Sequence, residues 1–151
     1  MKKLVLLLLI SASFTISVFA QQDEMAVRAT INQMFQGMRN ADSTAVISAF
    51  APGAIMQTII QSKEGKTSVR QNAVAGFASS IGKLAKGAAD EQILFETIKV
   101  DGDLAIAWTP YRFIFNGNFS HCGVNTFTLV KLDGVWKINY IIDTRRKENC
   151  N

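Results

Sequence analysis

Apolar positions along this chain follow two periods: helical spacing through the first half and alternation through the second. Val27, Ile31, Met34, Phe35 and Met38 fall on one stripe and predict a first helix from about Asp23 to Arg39. Asp23 and Glu24 suit the positive end of its dipole, and Arg39 the negative end. Asp42 reads as the N-cap of a short second helix carrying Val46, Ile47 and Phe50, which Pro52-Gly53 stops. Ala54 to Gln61, rich in Ile and Thr, predicts a strand. Ser68, with Gln71 completing a capping box, predicts the start of a third helix whose apolar stripe is Ala73, Phe77, Ile81 and Leu84 and whose end is Gly87.

Four long strands are then expected, at about Glu91–Val100, Leu104–Asn116, Phe119–Leu132 and Val135–Arg145. Turn signals separate them: Asp101-Gly102-Asp103, Asn116-Gly117-Asn118 and Asp133-Gly134. Helices followed by consecutive strands predict an α+β domain with the helices on one face of the sheet.

Asp133-Gly134 is a strong two-residue hairpin signal, and it sets a register. Leu132 should pair with Val135, Lys131 with Trp136, Leu129 with Ile138, Phe127 with Tyr140, Asn125 with Ile142, Gly123 with Thr144 and His121 with Arg146. Paired residues share a face. The face carrying Phe127, Leu129, Trp136, Ile138, Tyr140 and Ile142 is apolar and is assigned to the interior. It grades at one end into Tyr140, Asn125, Thr144 and His121. An apolar wall ending in a few convergent polar groups is what a small-molecule cavity requires. The opposite face carries Thr126, Thr128, Lys137, Asn139 and Asp143.

On the Leu104–Asn116 strand, Ala107, Thr109, Tyr111, Phe113 and Phe115 are expected to face inward. Trp108 and Ile114 would face outward, where they could join a homodimer contact through the sheet. Pro110 cannot donate to a ladder and predicts a bulge or an unpaired edge.

Residues 1–20 read as a signal peptide. Lys2 and Lys3 precede an apolar run, and Val18-Phe19-Ala20 offers a small-residue exit before Gln21. Residues 21–151 are then one exported domain, secreted or periplasmic, with no membrane contact once the signal is removed. Losing Lys2 and Lys3 takes the formal charge from +4 to +2. The one basic cluster, Arg145-Arg146-Lys147, reads as a solvated strand end, so no nucleic-acid partner is implied. In an exported chain, Cys122 and Cys150 suggest a disulfide.

Three helices, a strand between the second and third, and four long strands ending in Trp136-Lys137-Ile138 make a layout that resembles the NTF2-like superfamily. That group includes nuclear transport factor 2, ketosteroid isomerase, scytalone dehydratase and the SnoaL-like polyketide cyclases. Phe119-Ser120-His121-Cys122-Gly123, Asp133-Gly134-Val135-Trp136-Lys137-Ile138 and Asp143-Thr144-Arg145-Arg146 further resemble an exported bacterial group labelled putative lumazine-binding. The resemblance implies a cone of three helices packed on a strongly curved, mostly antiparallel sheet, with a deep cavity and frequent dimers. Isomerase-like members carry a carboxylate base on the first strand. Here Ala54 to Gln61 holds neither an acid nor a histidine, which argues against that chemistry.

His121, the only histidine, is the candidate acid/base or ligand hydrogen-bonder. No second histidine or matched acid cluster accompanies it, so no metal is expected, and no cofactor is expected either. Cys122 points to the opposite strand face and should not form a dyad with it. Asp143 is the acid most able to approach His121 as a second catalytic group, but the register places the two on opposite faces. Only a bulge would bring Asp143 round; without one it should pair with Arg145 on its own face. The leading expectation is a cavity that binds a small, partly aromatic molecule through Tyr111, His121, Asn125 and Tyr140. The alternatives are a hydrolase, isomerase or dehydratase using His121, and an envelope module acting through the outer sheet face.

Overall fold

A computed structural model describes the backbone of residues 2–150 and the side chains of residues 21–150. The signal-peptide reading falls on residues 1–20 and lies outside the described side chains. Among the described residues, three helices, α1 (Lys2–Asn40), α2 (Ser43–Ser48) and α3 (Val74–Ile81), accompany seven strands. The strands are β1 (Phe50–Gln61), β2 (Thr67–Asn72), β3 (Ala89–Ile93), β4 (Thr97–Asp101), β5 (Leu104–Phe115), β6 (Asn118–Leu132) and β7 (Val135–Asp143). They form one sheet in the order β2-β1-β7-β6-β5-β3, with β4 also paired to β5. The pairings are antiparallel except that β1 runs parallel to β7. Among the residues with described side chains, no helix is long and apolar enough to cross a membrane.

The predicted stripe of α1 is the helical half of the core. Val27, Ile31, Met34, Phe35 and Met38 are all buried. They meet Phe127, Leu129, Trp136 and Ile138 from the sheet, and the Phe35 ring stands edge-on to Phe127 at 6.1 Å. Asp42 caps α2 as expected, its Oδ1 accepting from the Ala45 amide at 2.9 Å. Asp23 is not at a helix start, because α1 runs through it; its carboxylate instead accepts from Lys131 Nζ at 2.6 Å and Trp136 Nε1 at 3.1 Å.

The helix predicted from Ser68 begins at Val74 instead, and Ala73 precedes it without a side-chain cap. Thr67–Asn72 pairs antiparallel with β1 from Met56 to Gln61. The β-capable Thr67 and Val69 complete the backbone hydrogen bonds of a sheet edge that would otherwise stay open, which outweighs a two-residue capping signal. The strand expected at Glu91–Val100 is divided into β3 and β4, both paired to β5. The break lies opposite Pro110, whose carbonyl accepts from the Leu94 amide at 2.9 Å. The proline has no N–H to return on that side, so the ladder lapses on the partner strand while β5 runs straight through.

The hairpin register holds from Leu132↔Val135 to Leu129↔Ile138 and then shifts by one residue, so that Thr128 pairs with Tyr140 and Asn125 with Asp143. Asn139 is the extra residue. Beyond this bulge every β7 side chain changes face. Ile141 and Asp143 turn inward and are buried, whereas Tyr140 and Ile142, expected inside, are not. Phe127 sits at the centre of the helix–sheet contact with no exposed area. Replacing Phe127 with Ala is expected to cost about 3–5 kcal/mol of unfolding free energy, checked by urea titration.

Candidate functional site

Among the described residues, four polar side chains are fully or nearly fully buried: Thr58 (2%), Thr109 (0%), Asn125 (3%) and Asp143 (7%). They form one row across four adjacent strands, with Thr58 opposite Asp143, Asp143 opposite Asn125 and Asn125 opposite Thr109. The inward turn of Asp143 completes this row. The pairing with Arg145 is present as well, Arg145 Nε donating to Asp143 Oδ2 at 2.7 Å. The Tyr111 hydroxyl lies 3.2 Å from the same oxygen and 2.9 Å from the Thr144 carbonyl. Gly123 makes room for that approach: a β-carbon there would land on the Thr144 carbonyl oxygen and against the Tyr111 ring.

Beside the row lies a hollow of about 820 Å³, bounded by α1, α3 and the concave sheet face. Met34, Phe35, Met38, Phe77 and Phe113 give it apolar walls, and Glu91, His121, Asn125, Asp143 and Arg145 bring polar groups to it. His121 faces the hollow; its Nδ1 is 3.1 Å from Ser120 Oγ, and its ring packs on Phe113 (5.1 Å) and edge-on to Tyr111 (5.6 Å). An extra residue in β6 after Phe119 helps to set its direction, since Phe113 pairs with His121 while Ile114 pairs with Phe119.

The structure thus brings His121, Asn125 and Asp143 to one wall. Tyr111 stands behind that wall, bonded to Asp143. Tyr140 does not line the hollow: the bulge turns it away, and its hydroxyl donates to Gln57 Oε1 at 2.8 Å. Trp108 lies on the outer face, 45% exposed. Cys122 and Cys150 form a disulfide. Among the described residues, no three His, Cys, Asp or Glu side chains cluster as metal ligands would.

Glu91 is the residue that the sequence reading passed over. It sits in the middle of β3, and its Oε1 accepts from Asn125 Nδ2 at 2.8 Å. Burial pushes its carboxyl up to about 7; the Asn125 hydrogen bond opposes this, the Asp143 charge adds to it and Arg145 lowers it. Burial also pushes the Tyr111 phenol far above its usual range, with the Glu91 and Asp143 carboxylates adding to the shift. His121 moves the other way. Burial holds its pKa below the usual histidine value, Arg145 lowers it further, Asp143 opposes and Lys147 adds a smaller push down. The wall therefore carries a carboxyl and an imidazole that can each be neutral near pH 7, next to an ion pair. It can donate and accept hydrogen bonds at the same pH.

A family model described as Putative lumazine-binding matches residues 22–140. Solved structures share the fold. An NTF2-like protein with a cystatin-like fold from Novosphingobium aromaticivorans is 14% identical, with a TM-score of 0.70 over 91% of this chain and 91% of its own. An NTF2-like protein of unknown function from Shewanella baltica is 18% identical, with a TM-score of 0.65 over 84% of this chain and 96% of its own. A domain of unknown function with a cystatin-like fold from Nostoc punctiforme is 20% identical, with a TM-score of 0.65 over 85% and 80%. No curated protein matches the chain.

Glu91 has a signature in stability. Its ordinary pKa is 4.5 and its folded value is about 7. Between those values the folded chain keeps a proton that the unfolded chain has lost, so this group makes stability fall as pH rises through that window. His121, with a lowered folded value, contributes a slope of opposite sign. Glu91→Gln should therefore remove a falling component and leave the variant relatively more stable at about pH 8 than at about pH 5, read as the difference in urea midpoints from the natural chain. NMR titration of the Glu91 carboxyl should give a midpoint well above the ordinary glutamate value.

Proposed function

Because the chain belongs to the Putative lumazine-binding family of NTF2-like domains, we propose that its hollow holds one small, partly aromatic molecule, in a protein exported after removal of residues 1–20. The observation that carries this reading is the placement of the buried polar row at the edge of an apolar hollow of about 820 Å³. Burying Asn125 and Asp143 is costly unless their hydrogen bonds are used. Asn125 gives its amide hydrogen to Glu91, and Asp143 is held by Tyr111 and Arg145. The result is a pre-set edge of donors and acceptors beside Phe77 and Phe113, which suits a flat heterocycle carrying ring carbonyl and N–H groups.

A second reading, an acid/base enzyme, is favoured by one specific observation. The bulge turns Asp143 onto the wall that also carries His121 and Glu91, so candidate proton donors and acceptors share a face. No hydrogen bond among the described residues joins His121 to either carboxylate; its side-chain hydrogen bond is with Ser120. Binding is therefore the primary function proposed.

Thermal melting against a panel of aromatic heterocycles, lumazine among them, tests the reading. A ligand at about a hundred times its dissociation constant should add about 2.7 kcal/mol and raise the midpoint by several degrees. Asn125→Leu, which removes the amide and frees Glu91, should abolish the rise. A panel without any shift would overturn the reading. A compound that the protein converts, with the conversion lost in His121→Gln while binding persists, would instead favour the enzyme.

A further inference from the structure

A second hollow, of about 390 Å³, adjoins the first and shares Ser120, His121 and Arg145 with it. Its remaining lining is Phe119, Arg146 and Lys147. Three of its six residues are cations and none is an acid; Glu148, next in the chain, does not line it. Arg145 spends one edge of its guanidinium on Asp143, yet its side chain remains 48% exposed. Among the described residues, the Arg146 guanidinium donates only to the Asn149 carbonyl, at 3.2 Å. Arg112 stacks over the ring of Phe119, one of the lining residues, at 5.1 Å.

This basic segment is fastened to the sheet. The backbones of Cys122 and Arg146 exchange two hydrogen bonds of 2.8 Å, and the Cys122–Cys150 disulfide closes the far side. Arg146 and Lys147 are thereby held beside His121 at the edge of the main hollow, where an unanchored chain end would fray. Cations on one side and an imidazole and a hydroxyl on the other make a receptor for an oxyanion.

We propose that the outer hollow takes an oxyanion carried by the ligand, a carboxylate or phosphate group, so that the molecule held is an aromatic acid with its ring body in the main hollow and its charge at the Arg146–Lys147 rim. This rests on the ligand-binding reading above and narrows it. A neutral molecule would leave the cationic rim without a partner, whereas an acid gains a charge-assisted hydrogen bond together with an electrostatic pull that salt weakens.

Matched probes separate the two claims. Naphthylacetate, naphthyl phosphate and uncharged naphthylacetamide are titrated calorimetrically into the full chain and into an Arg146→Gln/Lys147→Gln variant. The natural chain should bind at least one acid about tenfold or more tightly than the amide, an advantage that falls with added salt. The variant should lose that advantage and keep its affinity for the amide. Which acid gains more tells carboxylate from phosphate. Equal binding of acids and amide by the natural chain, or an advantage that survives in the variant, would overturn the proposal while leaving the main hollow a binding site. If none of the three binds, inorganic phosphate is added alone and the His121 ring signals are followed by NMR. Their movement in the natural chain but not in the variant would support the anion site although the aryl hollow had failed. No movement overturns it.

Discussion

The inserted residue at Asn139 is the constraint on which the polar wall depends. A strand has a side-chain period of two, so one extra residue in β7 must send everything beyond it to the other face unless a second insertion compensates. None follows before Asp143. The hairpin turn fixes the register on the near side of the bulge, where Trp136 and Ile138 fill the core. The far side is free to present Ile141 and Asp143 to the same interior. One strand thus serves a dry core at one end and a polar wall at the other.

A carboxylate inside a domain is costly, and its neighbours show how this one is kept. Asp143 has a cation on one side and a phenol on the other, and Gly123 supplies the space that lets the phenol arrive. Among the described residues, Glu91 has a single amide and no cation within hydrogen-bond reach, so its response to burial is to hold its proton to higher pH. The two acids thus share one wall in different company, Asp143 in an ion pair with Arg145 and Glu91 with an amide alone. That difference, rather than the number of polar groups, lets the hollow offer donors and acceptors together.

Much of this was legible in the residues. The α1 stripe, the Asp42 cap, the Asp133-Gly134 turn and the alternation Ala107, Thr109, Tyr111 and Phe113 are local patterns with local physics, and each is in place. The bulge was not legible, because past Asn139 the run Tyr140-Ile141-Ile142 is apolar on both parities, so either face can be buried there. β2 was missed because edge pairing is decided by a neighbour far along the chain, whereas the Ser68–Gln71 spacing looked like a helix start. Glu91 was passed over for a related reason: its environment is made by Asn125, which lies on β6 and reaches it only across the folded sheet. The Arg145–Lys147 cluster was read as a solvated end because charge alone carries no information about the hollow beside it.

A crystal structure of the protein would test the central claim most directly, by locating the Asp143 carboxylate. The account predicts Asp143 opposite Asn125 inside the hollow, with Asn139 bulged and Tyr140 turned to Gln57. A regular ladder with Asn125 opposite Ile142 and Asp143 in solvent would contradict it, and the site built on that wall would go with it.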